Sequence, residues 1–359
     1  KKIELERISY TRPDQSNRYG GIFFPGPNLK NHLMARTYFG HDSYSCVGIT
    51  HTTASHTVMT GISDLLVQPA KPWDAIICTS QVVLDTVNII LDNAFEFYKK
   101  SLGANKKELP MLPIIPLGVH DDDFNFDDEY KNNSRKSLGI EDDDIVVVYV
   151  GRLSFHAKAH PIPMYLALEQ CAKNYNNGKI HLIQTGWFAN DFIEKSFKDD
   201  ARKLCPSIKC HFLDGTIQEE KYKSLAAGDI FMSLSDNQQE TFGLTPLEGM
   251  ASGLPVIVSD WNGYRSTVRD GVDGFTVKSY SLSAGFGEEL AFNHMIDFID
   301  YNHYIGFTSQ RVAIDIDICI EKLNILINNK DKRLEMGKNG RNRARGDLSW
   351  RNIISQYKE

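Results

Sequence analysis

The sequence lacks several patterns that would assign a function at once. No G-x-G-x-x-G occurs in the 359 residues, which counts against an ordinary dinucleotide dehydrogenase. There is no long block of basic residues and the net charge is -6, so the footprint of a nucleic-acid-binding protein is missing. These absences leave room for a local basic pocket that binds phosphate, and we expect no nucleic-acid partner.

Paired cysteines and long apolar runs are also missing. The six cysteines form no C-x-x-C pair, which argues against a disulfide scaffold or a zinc ribbon. Cys205 and Cys210, with His211 beside them, indicate plain thiols in a reducing cytoplasm. No apolar stretch approaches the ~18 residues of a membrane span. The chain opens on Lys1 rather than methionine, so we expect its start to be incomplete.

The length and the patterning predict an α/β protein of about two domains. In the later part of the chain, short apolar runs occupy 145–151, 180–186, 208–215, 229–235 and 254–260. Helical patterns lie between them at 161–176, 190–204, 218–227 and 244–252. Apolar runs of this length, separated by helices, are typical of a buried parallel sheet in a doubly wound domain.

The earlier part of the chain repeats this alternation with fewer units. Strands are predicted at 44–51, 74–80 and 111–118, and a helix at 81–98. The acidic, turn-rich stretch 121–144 is predicted to be a linker. We therefore predict an acceptor-side domain over 1–130, a donor domain over 131–340, and a terminal segment, 341–359, whose helix returns toward the first domain. A further helix is predicted from Ile314 to about Asn329.

Two glutamates, Glu240 and Glu248, flank the start of a predicted helix. Gly243 precedes this helix and Pro246 falls in its first turn, where a missing N–H costs nothing. The helix begins at the carboxyl end of strand 229–235, where open α/β sheets bind ligands and free N–H groups attract phosphate. Carboxylates accept hydrogen bonds from diols, so the pair could hold the two sugars of a nucleotide sugar. Alternatively, Glu248 is a surface residue and Glu240 a helix cap.

Two cations follow strand 145–151. Arg152 and Lys158 lie in its loop, where a rigid guanidinium fork and an ammonium suit a diphosphate. The alternative is a loop with solvated cations. His156 and His160 flank Lys158 and are interpreted as loop residues.

Together these segments resemble a known family. "GRL" (151–153) with Lys158, and "ETFGLTPLEGMASGLPVIVSDWNGYRSTVRDGVDGFTV" from Glu240, are similar to the donor domain of family-4 retaining glycosyltransferases. The similarity extends more loosely to "ITHT" (49–52), "DAIICTS" (74–80) and "IPLGV" (115–119). It implies the GT-B fold, in which two Rossmann-like domains face each other across a cleft.

The resemblance implies roles for individual residues. Arg152 and Lys158 would bind the diphosphate, and Glu248 the ribose hydroxyls. Glu240 would face the transferred sugar. The remaining implied donor contacts are the backbone at Phe242, Gly243 and Leu244, His51 from the first domain, and a glycine-rich phosphate loop at Gly20 and Gly21. Glu240, His51, Arg152 and Lys158 would be the catalytic set.

The implied reaction moves a hexose from a nucleotide-diphosphate sugar to a glycan or lipid-linked acceptor, with retention of anomeric configuration. Charge builds on the β-phosphate as the bond breaks, and Arg152, Lys158 and the helix N-terminus would stabilise it without metal or cofactor. No third carboxylate is placed as a nucleophile, which favours a same-face route.

Other interpretations remain open. The fold could serve a nucleotide-sugar-binding subunit without turnover, or a phosphorylase or epimerase. Asp121-x-Asp123 matches a metal-binding aspartate pair of another transferase fold, although acidic runs are usually solvated.

Membrane contact and base selection are predicted less directly. Four lysines (Lys99, Lys100, Lys106 and Lys107) could meet an anionic membrane at the inner face, or simply suit the end of helix 81–98. The nucleotide base is expected near Thr185–Trp187 and Leu213–Thr216.

Overall fold

The computed structural model describes residue 15 and residues 18–358. It divides into two compact units, Lys1–Pro116 and Leu117–Glu359. Each unit contains a parallel sheet, as the alternating pattern predicts.

The first unit has a three-stranded parallel sheet in the order β1-β2-β3. Its elements are β1 (Gly21–Phe23), α1 (Lys30–Phe39), β2 (Ser45–Ile49), α2 (His56–Ser63), β3 (Ala75–Ile77) and α3 (Gln81–Leu102). A short 3-10 helix, Asp64–Leu66, follows α2.

Helix α3 shows how the sequence sets its own boundaries. The Ser80 side chain accepts a hydrogen bond from the Val83 N–H at the first turn. Val83, Val87 and Leu91 recur at helical spacing and are buried against the sheet. The helix continues past residue 98 and ends at Gly103, which adopts the left-handed conformation at φ 70° that glycine tolerates.

The strand predicted at 111–118 is reduced to single bridges. Ala75 pairs with Met111 and Cys78 with Ile114, both in parallel. Pro110, Pro113 and Pro116 have no N–H to donate, so a continuous ladder cannot form in this segment.

The second unit is built around a six-stranded parallel sheet in the order β6-β5-β4-β7-β8-β9. Its strands are β4 (Ile145–Val150), β5 (Ile180–Gly186), β6 (Lys209–Asp214), β7 (Ile230–Ser233), β8 (Val256–Ser259) and β9 (Gly274–Val277). The helices through β9 are α4 (Asp128–Ser137), α5 (Ile162–Ala172), α6 (Asp191–Leu204), α7 (Gln218–Ala227), α8 (Leu244–Ala251) and α9 (Tyr264–Thr267). Each of the five strands and four helices predicted for this region is present.

Strand β4 explains why the apolar runs are continuous. All six of its residues are buried. Val147 and Tyr149 belong to one core cluster, whereas Val146 and Val148 belong to another. Because successive side chains point to opposite faces, a sheet covered by helices on both faces needs apolar residues at every position.

The predicted linker at 121–144 is wrong in part. It holds a 3-10 helix, Asp121–Phe124, and helix α4. The Phe124 ring is buried in a core cluster of the second unit, and the Arg135 guanidinium donates to the Asp229 carboxylate at 3.0 Å. The boundary between the units therefore lies between Pro116 and Leu117 rather than at residue 130. The polar composition of this stretch did not reveal that one of its rings is buried and one of its cations is paired within the second unit.

The end of the chain also differs from its predicted division. Three helices close the second unit, α12 (Ile316–Asn328), α13 (Lys330–Arg345) and α14 (Trp350–Tyr357). The prediction of a separate terminal segment that starts at residue 341 is therefore wrong, because residues 341–345 are the last residues of α13. Val119 accepts a hydrogen bond from the Trp350 N–H at 3.1 Å, which fixes the start of α14 within this unit. A return of α14 toward the first unit stays a prediction.

One segment of the second unit, for which the sequence predicted no element, lies apart from the main sheet. Strand β10 (Ser279–Ser281) pairs antiparallel with β11 (Val312–Ile314), apart from the main sheet. Between them lie α10 (Glu288–Met295) and α11 (Tyr301–Ser309). We call residues 282–311 the excursion. Its Leu290, Tyr304 and Ile305 pack with Ala157 in a small cluster of their own.

Candidate active site

The strand order of the second unit fixes where a ligand can bind. Strand β4 has β5 on one side and β7 on the other. The strands that follow β4 are added first on one side of it, as β5 and β6, and then on the other side, as β7 to β9. At such a switch point the loops after the two strands diverge and leave a crevice at the carboxyl edge. The loops here are residues 151–161 and 234–243, which contain the predicted diphosphate and sugar residues.

The central contact joins Lys158 and Glu240. The Lys158 ammonium donates to the Glu240 carboxylate, and the side chains are only 18% and 10% exposed. Burial alone would lower the pKa of Lys158, but the neighbouring Glu240 carboxylate outweighs it and the pKa is raised. The lysine is therefore a fixed cation, and an ammonium with three donors keeps two for a ligand.

Side chains of the second loop hold the first in place. The Asn237 amide donates to the His156 carbonyl at 2.8 Å, and the Ser235 hydroxyl to the Lys158 carbonyl at 2.9 Å. The Arg152 guanidinium donates to the Ala157 carbonyl at 3.3 Å and is otherwise exposed to solvent at this edge. The structure thus brings Lys158 and Glu240 into contact and places Arg152 in the same loop.

The N-terminus of α8 opens beside this ion pair. Gly243 precedes it with φ 98°, and a Cβ there would lie 2.5 Å from the Tyr264 ring, so only glycine fits. Among the described residues no side chain caps the helix, and Leu244 begins it 43% exposed. Its first N–H groups can therefore serve an anionic ligand. Phe242 is buried, which leaves its backbone rather than its ring for the predicted cradle.

Glu248 has a partner that the sequence did not suggest. The Lys221 ammonium donates to its carboxylate at 2.9 Å, with the two side chains 24% and 18% exposed. Burial raises the pKa of Glu248, and Lys221 opposes this rise. Lys221 lies on α7, far from Glu248 in sequence, and no motif spacing could have linked them. The loop position of Glu240 and the helical position of Glu248 follow the prediction.

The first unit holds the other two predicted positions. His51 follows β2 at the carboxyl edge of that sheet, and its Nε2 donates to the Pro25 carbonyl at 2.8 Å. Gly21 is the first residue of β1, at the amino edge, and Gly20 precedes it. Ligands bind at the carboxyl edge of parallel sheets, so the placement of Gly20 and Gly21 gives no support to a phosphate loop. The role of His51 stays a prediction.

One aspartate of the alternative metal motif has a protein partner. Asp121 accepts a hydrogen bond from the Ser349 hydroxyl at 2.8 Å, and Asp122, which lies between the two motif aspartates, pairs with Arg351 at 2.9 Å. Within residues 18–358 no three or more His, Cys, Asp or Glu side chains group as metal ligands.

Three of the four lysines proposed for membrane contact lie beside acids. Lys99 is 3.6 Å from Glu96, Lys106 is 4.0 Å from Glu108, and Lys107 is 2.5 Å from Asp92. These neighbours favour the local interpretation of the cluster. In the described part of the chain, no helix has the length and apolarity needed to cross a membrane.

In the region predicted to bind the base, the ends of β5 and β6 pack closely against each other. A Cβ on Gly215 would lie 2.7 Å from the Gly186 Cα, so these two strand ends pack backbone to backbone. Trp187 is 45% exposed beside them, and Asp214 accepts hydrogen bonds from the Thr216 N–H and hydroxyl at 2.9 and 2.7 Å.

Comparison with known proteins assigns the segment that holds these residues. Residues 130–290, which contain Arg152, Lys158, Glu240 and Glu248, match the model of glycosyl transferases group 1. They form a group 1 glycosyl transferase domain. The family resemblance drawn from the motifs is therefore confirmed. Retention of configuration is not tested by this match.

The glycosyl transferase domain has curated relatives of the same kind. A D-inositol 3-phosphate glycosyltransferase of Geodermatophilus obscurus is 26% identical over 213 residues, 58% of this chain and 46% of that protein. An uncharacterized glycosyltransferase of Methanocaldococcus jannaschii is 28% identical over 164 residues, 43% of this chain and 37% of that protein. The chain spans less than half the length of these curated relatives.

Solved structures confirm the fold class over nearly the full length of the chain. Anabaena HepE in complex with UDP superposes with a TM-score of 0.62 at 19% identity, covering 97% of this chain and 80% of HepE. Sucrose-phosphate synthase from Thermosynechococcus elongatus gives 0.57 at 17% identity, covering 98% and 79%. At these identities the likeness shows the GT-B fold alone.

Proposed function

We propose that the chain transfers a hexose from a nucleotide-diphosphate sugar to a glycan or lipid-linked acceptor, with retention of anomeric configuration. The observation that carries the proposal is the buried Lys158–Glu240 pair at the switch point of the sheet, beside an uncapped helix N-terminus. HepE, which shares the fold, has been solved with UDP and glucose. That structure supports a donor of the same chemical class here.

In this proposal each residue has a chemical task. The two remaining donors of the Lys158 ammonium, the Arg152 guanidinium and the N–H groups of α8 would stabilise negative charge on the departing diphosphate. Glu240 would keep one oxygen on Lys158 and offer the other to a hydroxyl of the transferred sugar. Glu248, aligned by Lys221, would accept from the ribose hydroxyls. These cations supply the charge stabilisation that a metal provides in other transferases.

A donor panel tests the proposal directly. Thermal unfolding would be followed with UDP, GDP, ADP and their hexose conjugates at matched concentrations. The true donor is expected to raise the midpoint, because a ligand at 100 times its Kd adds about 2.7 kcal/mol to stability. A panel without any stabilising nucleotide would overturn donor binding. Stabilisation without product in a transfer assay would instead favour the non-catalytic binding subunit, and release of a free sugar phosphate or an isomer the phosphorylase or epimerase.

We expect transfer to survive removal of divalent metal. With the identified donor, initial rates would be measured after dialysis against EDTA and after adding back Mg²⁺ or Mn²⁺. Rates within about twofold of each other are expected, because Arg152, Lys158 and α8 carry the charge stabilisation. A rate that collapses in EDTA and returns with metal would contradict this prediction.

Glu248→Ala is expected to weaken binding of the nucleoside diphosphate by ~1.5–3 kcal/mol, the range for hydrogen bonds to charged groups. Calorimetric titration measures the change. Glu220→Ala is the matched control, since Glu220 also pairs with a lysine, Lys223, on α7. An unchanged dissociation constant in the Glu248 variant would remove this residue from the ribose.

A further inference from the structure

A cavity of about 850 Å³ lies in the second unit, between the loop after β4 and the excursion. One wall is formed by Phe155, His156 and His160 from the loop, with Asp236 after β7. The excursion contributes Phe307, from α11, and Gln310, which follows that helix. Arg152, Lys158, Glu240 and Glu248 are not among the described residues that line it. The cavity is therefore lined by other residues than the predicted donor set, and its size is within the range of small-molecule sites.

Asp236 is the unusual group in this cavity. The residue is only 6% exposed, and its Oδ2 accepts a hydrogen bond from the His160 N–H at 3.3 Å. Its Oδ1 is buried without a hydrogen-bond partner in the described part of the chain. A buried carboxylate that lacks a donor is costly, so its retention needs an explanation. A hydroxyl of a bound molecule would supply the missing donor.

The remaining wall chemistry narrows the class of ligand. Neither lysine nor arginine is among the described lining residues, which argues against a phosphate or another anion. Burial lowers the pKa of both His156 and His160, so these imidazoles are neutral at pH 7 and can both donate and accept. Phe155 and Phe307 add apolar faces. A pyranose combines these features, because it has apolar C–H faces and a rim of neutral hydroxyls.

We propose that this cavity binds a single neutral glycosyl residue, with Asp236 accepting a hydroxyl hydrogen bond and Phe307 contacting the sugar face. The excursion supplies one wall of the site, so the site depends on residues beyond the 130–290 domain. Binding here requires no nucleotide, and the proposal stands independently of the donor reaction.

Ligand-observed saturation-transfer NMR tests the proposal without nucleotide present. The probes are the methyl α- and β-pyranosides of glucose, galactose, mannose and N-acetylglucosamine. At least one is expected to bind the native chain. Asp236→Asn is expected to weaken its Kd at least tenfold, and Phe307→Ala several-fold. Phe307 is 41% exposed, so its truncation leaves the fold intact and gives a second readout.

Glu240→Gln is the control for the donor site. Its pyranoside binding should equal that of the native chain, because Glu240 does not line the cavity. The proposal is overturned if no pyranoside binds, or if Asp236→Asn and Phe307→Ala both bind as the native chain does. Loss of binding in Glu240→Gln alone would place the sugar at the donor site and overturn it as well.

Disaccharide glycosides then distinguish the source of the sugar. If the cavity holds one residue of an acceptor glycan, extending the probe by one unit should tighten binding, since the second unit adds contacts. If it holds a free sugar, the extended probe should bind more weakly than the monosaccharide. Both results support the site and assign its occupant.

Discussion

Lys158→Met is expected to lower kcat of sugar transfer by roughly 10²–10³-fold, the loss typical of removing one preorganised group that stabilises developing charge. Methionine keeps the length and apolar volume of the lysine stem but has no charge. The native ammonium lies in a loop whose carbonyls are held by Ser235 and Asn237, so the position of the missing charge is fixed by the backbone. Single-turnover rates at saturating donor measure the effect on chemistry.

The same substitution leaves Glu240 buried without its partner. Breaking a buried pair from one side costs about 3–5 kcal/mol, so Lys158→Met should also destabilise the chain. The double variant Lys158→Met with Glu240→Gln removes both charges and should recover most of that stability while remaining inactive. Urea unfolding of the single and double variants separates the two effects. A single variant that transfers sugar at the native rate would exclude Lys158 from catalysis.

Asp236→Asn is expected to stabilise the chain by about 4 kcal/mol at pH 8. Burial raises the pKa of Asp236 from an ordinary 3.8 to about 7. Each pKa unit of that difference corresponds to about 1.4 kcal/mol by which the ionised carboxylate destabilises the folded chain. Asparagine keeps the shape, and its carbonyl can still accept from the His160 N–H. The amide then replaces the oxygen that has no partner.

The sign of the pH dependence follows from linkage. Because the pKa is raised in the folded state, the unfolded chain releases this proton first, near pH 4. The stability of the native chain should therefore fall as pH rises from about 4 to about 7 and level off above, relative to the asparagine variant. The difference between the two unfolding curves removes the independent titration of His156 and His160.

Asp260→Asn is the control for this measurement, because Asp260 is 41% exposed and pairs with Arg265 on the surface. Its effect should stay within about 0.5 kcal/mol at every pH. A native chain no less stable than Asp236→Asn at pH 8 would show that Asp236 has a donor in solution. A gain in stability together with a loss of sugar binding would be a trade of stability for function.

The sheet of the second unit was predictable because its central strands, β5, β4, β7 and β8, are covered on both faces. Continuous apolar runs such as 145–150 follow from that burial and have few alternative explanations. The helix α4 was missed because its burial depends on single side chains, such as Arg135, whose partner Asp229 lies far along the chain. Polarity alone could not distinguish this helix from a solvated linker.

The candidate site was predictable where local geometry determines it. Gly243 and Pro246 mark the start of α8 in the sequence, and the order of strands then brings Glu240 beside Lys158. Lys221 and Asp236 could not be recognised in this way. Lys221 contacts Glu248 from a helix that is remote in sequence. Asp236 is unusual because its buried Oδ1 lacks a hydrogen-bond donor, a property that a sequence pattern does not predict.

The pairing of β10 with β11 has a consequence for how this chain could be shortened. Ser281 and Val312 are register partners, so the excursion leaves and returns at one point of a hairpin. Joining them through Asn-Gly would close a tight two-residue turn of the favoured type. A truncated protein made in this way would keep the six-stranded sheet and the Lys158–Glu240 pair. Because Leu290, Tyr304 and Ile305 pack with Ala157, next to Lys158, the same truncation would also uncover one side of the loop after β4.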